Sequence, residues 1–340
     1  MRTRLSMRPT GWFQVGWSTD LAVGEVKPLR YFGEDLVAFR GKDGDVHVLN
    51  AYCAHLGANL AYGGCVTDEG IQCPFHGWVW SPEGRNVRIP YQDRPNKSRG
   101  VRSWPVHESL GVISIWHDAA GRPPLFDLPS EFTELAPHLG ERAYYPAGPD
   151  AQSRYENTYV HPQMLLENAV DPIHFRYVHG TPTTPLVLTE SVDEWTWRAK
   201  VGFGRRWADG RDRQGDELNT LYLMWAGTGI SYNVHTDAER STMTVIACTP
   251  VDDDTTEVFG TYFVERIPGD EGTDRYAQRV VGLKAALPDD LKIWHNQRFM
   301  ERPALATNEA AGCRHIREWG QNFYPDGELG PRDVLLEPTA

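Results

Sequence analysis

The chain has 340 residues, enough to bury a substantial core and, by length, to form two domains. Its composition, 40% hydrophobic and 24% charged, is that of a globular protein and excludes a disordered chain. A formal net charge of −12 argues against nucleic-acid binding, and no apolar run approaches the roughly 18 residues of a membrane span.

The N-terminus, MRTRLSMRPTGW, carries basic residues with no apolar segment behind them, so no secretory signal is expected. From about Trp12 to Trp116, short β-rich runs alternate with turn signals. DLVAFR and GDVHVLN, joined across GKDG, read as a hairpin, and GVISIWHD reads as a buried strand closing the region. A Pro-rich, acidic stretch, DAAGRPPLFDLPSEFTEL, is the natural linker, giving expected domains 1–118 and 119–340. Beyond it, helical segments near 162–179 and 271–302 accompany the strand candidates LNTLYLMWAG, GISYNVHT, STMTVIACTP and EVFGTYFVERI. The expected class is α+β, with helices packed on a curved antiparallel sheet.

The first chemical signal lies in YCAHLGANL and CPFHGW. These give Cys53-x-His55 and Cys73-x-x-His76, one thiolate and one imidazole from each arm. A zinc finger more usually pairs two Cys in one arm and two His in the other. The mixed arms suit a 2Fe–2S cluster with Cys53 and Cys73 on one iron and His55 and His76 on the other. Gly57, Pro74 and Gly77 allow the sharp turns, and Phe75, Trp78 and Trp80 are candidates to shield the cluster. Of the five cysteines, Cys65 reads as a structural thiol, and Cys248 and Cys313 as buried or incidental. So sparse and odd a set is no disulfide framework, which points to a reducing, cytoplasmic location.

The second signal is ENAVDPIHFRYVHG. On a helix, Asn168, Asp171 and His174 follow one slowly drifting stripe. His179 stands about 140° from His174, so both reach one metal only if the helix bends or ends between them. Gly180 is a plausible stop. Two histidines with a carboxylate suit non-haem Fe(II); two ordinary core histidines are the alternative for the segment taken alone.

The two motifs together, in this order, resemble the Rieske non-haem iron oxygenases, and the region CPFHGWVWSPEGRNVRIPY is similar to the oxygenase components of 3-ketosteroid 9α-hydroxylases. The resemblance spans nearly the whole chain. It implies an N-terminal Rieske domain followed by a helix-grip catalytic domain. It also implies a mononuclear iron held by His174, His179 and a late carboxylate, sought in LPDDLKIWHNQRF at Asp290 with Asp289 as competitor. Asp171 then becomes a bridge from His76 of a neighbouring subunit to His174, which implies a head-to-tail homotrimer. Asn168 is either a distant partner of the iron or an orienting hydrogen bonder. No G-x-G-x-x-G stands in a strand–helix setting, so electrons from NAD(P)H must come through a separate reductase, with or without a ferredoxin.

The expected activity is O2-dependent monooxygenation of a hydrophobic, steroid-like polycycle. Demethylation, desaturation or tailoring of an aromatic or other natural product is the alternative. An electron-transfer protein fused to a lipid-binding module is the reading from another class, and His174, His179 and a late Asp speak against it. Leu223, Trp225 and Tyr232 are candidate pocket residues, and GFGRRWADGRDRQGDE is expected as an exposed loop between strands.

Overall fold

The structure, a computed structural model, describes residues 5–140, 142–213, 215–237, 240–270 and 273–324. The outermost ends of the two expected domains, Gln214 of the polar segment and residues 271–272 of the second helical segment lie outside the described residues.

Three small antiparallel sheets make the N-terminal part. The expected hairpin is present, with Glu34–Arg40 paired to Val46–Asn50. Val112–His117 is buried along its whole length and pairs with Gly11–Trp17, which is equally buried. A four-stranded sheet of very short strands, Cys65–Thr67, Gly70–Gln72, Val79–Trp80 and Asn86–Arg88, supports the two Cys/His loops. Cys65 lies exposed on that sheet, so it is not the structural thiol expected.

The C-terminal part is built on a seven-stranded antiparallel sheet. Its spatial order is Gln152–Thr158, Thr256–Val264, Arg240–Pro250, Ile230–Asp237, Thr220–Ala226, Thr196–Gly202, Leu186–Val192. Strand alternation divides its residues between two faces. Met224, Tyr232, Val234, Met243 and Val245 join Trp12, Phe13 and Trp116 of the N-terminal strands in one hydrophobic cluster. Their neighbours Leu223, Trp225, Asn233, His235, Thr242 and Thr244 face a cavity on the other side. Tyr232, expected in the pocket, therefore belongs to the interdomain core. It sits one residue out of register with the cavity face.

The segment expected as a linker is packed instead of loose. Trp12 Nε1 donates to the Phe126 carbonyl at 2.8 Å, and the Phe126 ring stacks on Trp195 with centroids 5.8 Å apart. The polar segment after Gly202 is not a plain exposed loop either. Trp207 is fully buried within it, and the buried Lys200 ammonium donates to Asp212 at 2.8 Å and Glu217 at 3.3 Å. An apolar anchor and a satisfied ion cluster fold the charged run back onto the sheet.

Each expected long helix is broken. The first divides into Pro162–Glu167, a single 3-10 turn Asn168–Val170, and His174–Tyr177. Pro172 ends the earlier part, because the residue before a proline is pushed out of the helical region. The second divides into Arg275–Lys284 and Ala286–Trp294, followed by Ala310–Gly320. Leu165, Leu166, Leu287, Leu291, Trp294, Ile316 and Trp319 of these helices pack on Trp197 and Trp225 of the sheet. That packing holds the helices over the cavity.

Candidate metal centres

The two N-terminal loops are built alike. Cys53 N–H donates to the Ala58 carbonyl at 2.9 Å while Gly57 N–H returns to the Cys53 carbonyl at 2.9 Å. Cys73 N–H donates to the Trp78 carbonyl at 2.8 Å while Gly77 N–H returns to the Cys73 carbonyl at 3.1 Å. Each turn needs a left-handed residue, and Gly57 (φ 77°) and Gly77 (φ 72°) supply it. A Cβ on Gly77 would also stand 2.8 Å from Pro90 Cγ.

Both cysteines are buried, and the His55 and His76 rings lie 4.8 Å apart. Burial pushes the Cys53 thiol up, against a 3.2 Å hydrogen bond donated by Trp80 Nε1 to its sulfur. Trp78 stacks on His55 at 4.4 Å and 6°, and its Nε1 donates to Tyr91 Oη at 2.7 Å. Phe75 touches His76 but is 61% exposed, so it marks the surface and does not screen the interior as expected. The decisive atom is His76 Nδ1, which is buried without a hydrogen-bond partner. A buried imidazole nitrogen left without a hydrogen bond is costly, and a metal removes that cost. Two buried thiols and two adjacent imidazoles, one with an orphaned nitrogen, fit a 2Fe–2S cluster with mixed ligands.

The second centre forms where the broken helix ends. Val178 N–H and His179 N–H still donate to the His174 and Phe175 carbonyls at 2.7 and 3.2 Å, and Gly180 (φ 65°) then turns the chain away. This ending brings both rings to one place, with centroids 5.4 Å apart. Asp290 arrives on Ala286–Trp294, in step with Leu287, Leu291 and Trp294 on the buried side of that helix, whereas Asp289 is exposed. His174, His179 and Asp290 each offer a ligand atom within 4.8 Å of the others. His179 Nε2 lies 3.2 Å from Asp290 Oδ1, and that contact raises the His179 pKa, while burial lowers that of His174. Two imidazoles and one carboxylate on one side of a site are a donor set suited to non-haem Fe(II).

Asn168 and Asp171 stand beside this group in different ways. The Asp171 carboxylate does not accept from the His174 ring. Its Oδ1 accepts the Ile173 and His174 amides at 3.1 and 3.2 Å, starting the short helix, and the Asp171 carbonyl takes His174 Nδ1–H. The main chain therefore fixes the His174 tautomer and leaves Nε2 as the donor atom, the orienting job usual beside a metal ligand. The Asn168 amide nitrogen lies 3.2 Å from that Nε2, so Asn168 is a direct neighbour of the donor. Both effects arise from the break at Pro172, which helical spacing could not register.

The triad lines a cavity of ≈ 340 Å³ that also meets Leu223, Trp225 and Phe203. Four polar side chains cross its sheet wall in register, Asn233 opposite Thr244 and His235 opposite Thr242. Burial depresses the His235 pKa, so its imidazole is neutral there. The sequence signal for this quartet is the strict alternation through SYNVHT, which places Asn233 and His235 on one face.

A β-rich cluster-binding domain joined to a sheet-and-helix domain with a His–His–Asp centre defines a two-centre, iron-dependent oxygenase. The Rieske 2Fe–2S domain family matches residues 11–105, and the 3-ketosteroid 9alpha-hydroxylase C-terminal domain family matches residues 115–324. A probable 3-ketosteroid-9-alpha-monooxygenase oxygenase component from Rhodococcus rhodochrous is 31% identical over 94% of this chain and 80% of its own length. Cholesterol 7-desaturase nvd 1 from Ciona intestinalis is 34% identical over 96% of this chain and 70% of its own. The crystal structure of dicamba monooxygenase bound to dicamba superposes with a TM-score of 0.65 at 19% identity, over 93% of this chain and 98% of that one, and shows the same fold. The chain belongs to the Rieske oxygenases, in the family of the 3-ketosteroid 9α-hydroxylase oxygenase components. Members carry one Rieske cluster and one mononuclear iron, and depend on a separate reductase. No helix among the described residues is long and apolar enough to cross a membrane.

Proposed function

We propose that this chain is the terminal oxygenase of a steroid monooxygenase. It takes O2, a polycyclic apolar substrate, and electrons from an NAD(P)H reductase, directly or through a ferredoxin. In this reading Cys53, His55, Cys73 and His76 hold the cluster of a domain ending near residue 118, and His174, His179 and Asp290 hold the iron. When bound, the two centres supply electron relay and O2 activation for attack on a C–H bond. The chain's own side chains do the rest. Leu223, Trp225 and Phe203 exclude water and bind ring faces, the polar quartet orients an oxygen substituent, the Asp171 carbonyl holds the His174 ring in place, and Asn168 stands beside the metal position at its Nε2.

The observation that carries the reading is the cavity: largely apolar, large enough for a polycycle, and bordered by the His–His–Asp group. Turnover with a reductase, a steroid panel and 18O-labelled O2 tests it. One labelled oxygen per product supports it, and turnover confined to small aromatics overturns it. The 34% identity to a cholesterol 7-desaturase favours a second reading, desaturation, which the same mass measurement reveals as loss of two hydrogens without label.

Family resemblance supports a head-to-tail homotrimer in which His76 of one chain approaches Asp171 of the next. Exposed apolar groups at both places agree with it: Phe75 (61%) and Tyr91 (62%) beside the cluster loops, and Tyr177 (79%) and Ile293 (47%) on the triad's two helices. Five cysteines, none of them in a disulfide, fit a cytoplasmic location. Sedimentation of the loaded protein tests the trimer, and an active monomer would overturn it.

A further inference from the structure

The two arms of the triad come from distant parts of the sequence, and one side chain holds both. Arg317, on Ala310–Gly320, is 4% exposed. Its Nε and Nη2 donate to the two carboxylate oxygens of Glu167 at 2.8 and 3.0 Å. Its Nη1 donates to the carbonyls of Met300 and Glu301 at 3.0 and 3.1 Å, and its guanidinium lies over the Phe299 ring at 4.6 Å. Glu167 immediately precedes Asn168, at the root of the segment bearing His174 and His179. Residues 299–301 lie five to seven positions past the end of the helix bearing Asp290.

We propose that Arg317 is a positioning residue for the iron centre, clamping the arm that carries Asn168, His174 and His179 against the arm that carries Asp290. This rests on the reading of His174, His179 and Asp290 as the iron ligands.

Three features distinguish this clamp from an ordinary buried ion pair. A planar guanidinium alone can make a bidentate bond to a carboxylate and still reach two carbonyls; an ammonium cannot. The Arg317 helix is also in contact with the first arm at two glycines: Gly320 lies against the Gln163 side chain, and a Cβ on Gly312 would meet Val170 Cβ at 3.4 Å. Finally, no polar side chain of the triad contacts Arg317, so the residue can act on the metal only by fixing backbone. Groups that orient ligands typically change metal affinity by about ten- to a hundredfold when removed.

The test uses the full-length, iron-loaded protein. Arg317→Met, Arg317→Lys and Glu167→Gln are compared with the parent for the rate at which a chelator strips the mononuclear Fe(II). The Rieske absorption and EPR signature reports the N-terminal part, and far-UV circular dichroism with a thermal midpoint reports the fold around Arg317. Arg317→Met is expected to release Fe(II) about tenfold faster or more, with the cluster signature unchanged. Arg317→Lys should restore only part of the retention, and Glu167→Gln should fall between. A variant with the parental cluster signature and the parental release rate overturns the proposal. Should Arg317→Met fail to fold, the release rate of Arg317→Lys decides the matter in its place. His179→Ala separates this from the reading beneath it: if that variant keeps the mononuclear iron, the ligand assignment fails, whatever Arg317 does.

Discussion

His179 Nε2 and Asp290 Oδ1 meet at 3.2 Å although they come from the turn just past a short helix and from the middle of a helix far along the sequence. The neighbouring Asp289 is exposed and is not part of the His174, His179 and Asp290 group. Asp290→Ala should therefore lose the mononuclear iron and cut turnover by about a hundredfold or more, while Asp289→Ala keeps both. Iron per chain and initial rates on matched preparations check this; iron loss in Asp289→Ala instead would exchange the two roles.

Trp80 bears on the other centre. Its indole N–H points at Cys53 Sγ from a fully buried position. A hydrogen bond to a ligand sulfur stabilises the more negative, reduced cluster. Trp80→Phe should lower the midpoint potential by roughly 40 mV, the one-electron equivalent of a net hydrogen bond of about 1 kcal/mol. Redox titration followed by EPR measures it, and an unchanged or higher potential would show that the bond does not tune the cluster.

The polar quartet in the cavity separates orientation from simple burial. Asn233→Leu combined with Thr244→Val should weaken binding of an oxygen-bearing steroid by about fivefold to tenfold, the value of one hydrogen bond. A hydrocarbon analogue of the same skeleton should bind as before or slightly better. Equal weakening of both ligands would show that the pair shapes the cavity and reads no oxygen.

Acid should loosen the first arm. His161 Nδ1 accepts from Gln163 N–H at 3.0 Å and Nε2–H donates to the Ser6 carbonyl at 2.8 Å, so only the neutral ring fits. Burial depresses its pKa to about 4. Below the ordinary value of about 6.5 the unfolded chain binds the proton first, so stability rises with pH across that window and falls as pH drops from 6.5 towards 4. The loss from this group is about 3 kcal/mol at the acid end. Thermal midpoints from pH 7 to 4 should decline in the parent and decline less in His161→Gln; parallel curves would remove His161 from the account.

Much of the site was legible because its signals are local. Cys53-x-His55 and Cys73-x-x-His76 carry their own turn glycines, and the triad histidines stand five residues apart beside a stop. The resemblance points to Asp290 over Asp289, and the helix register puts Asp290 in step with the buried Leu287, Leu291 and Trp294. What escaped is long-range or depends on a chain break. Pro172 divides the helix and hands ring orientation to the Asp171 carbonyl, which spacing alone does not encode. Tyr232 and Asn233 differ in fate by one step of strand register, and register is set by partners elsewhere in the sheet. Trp207 is buried inside a charged run because the ion cluster around Lys200 folds it inward, a tertiary effect that local polarity masks.

The most direct measurement of the central claim is metal stoichiometry on purified protein, read together with EPR. Three irons per chain are expected, two giving a Rieske signal and a third that disappears in His179→Ala and Asp290→Ala without disturbing that signal. Two irons per chain with turnover intact, or zinc in place of iron at His174, His179 and Asp290, would contradict it.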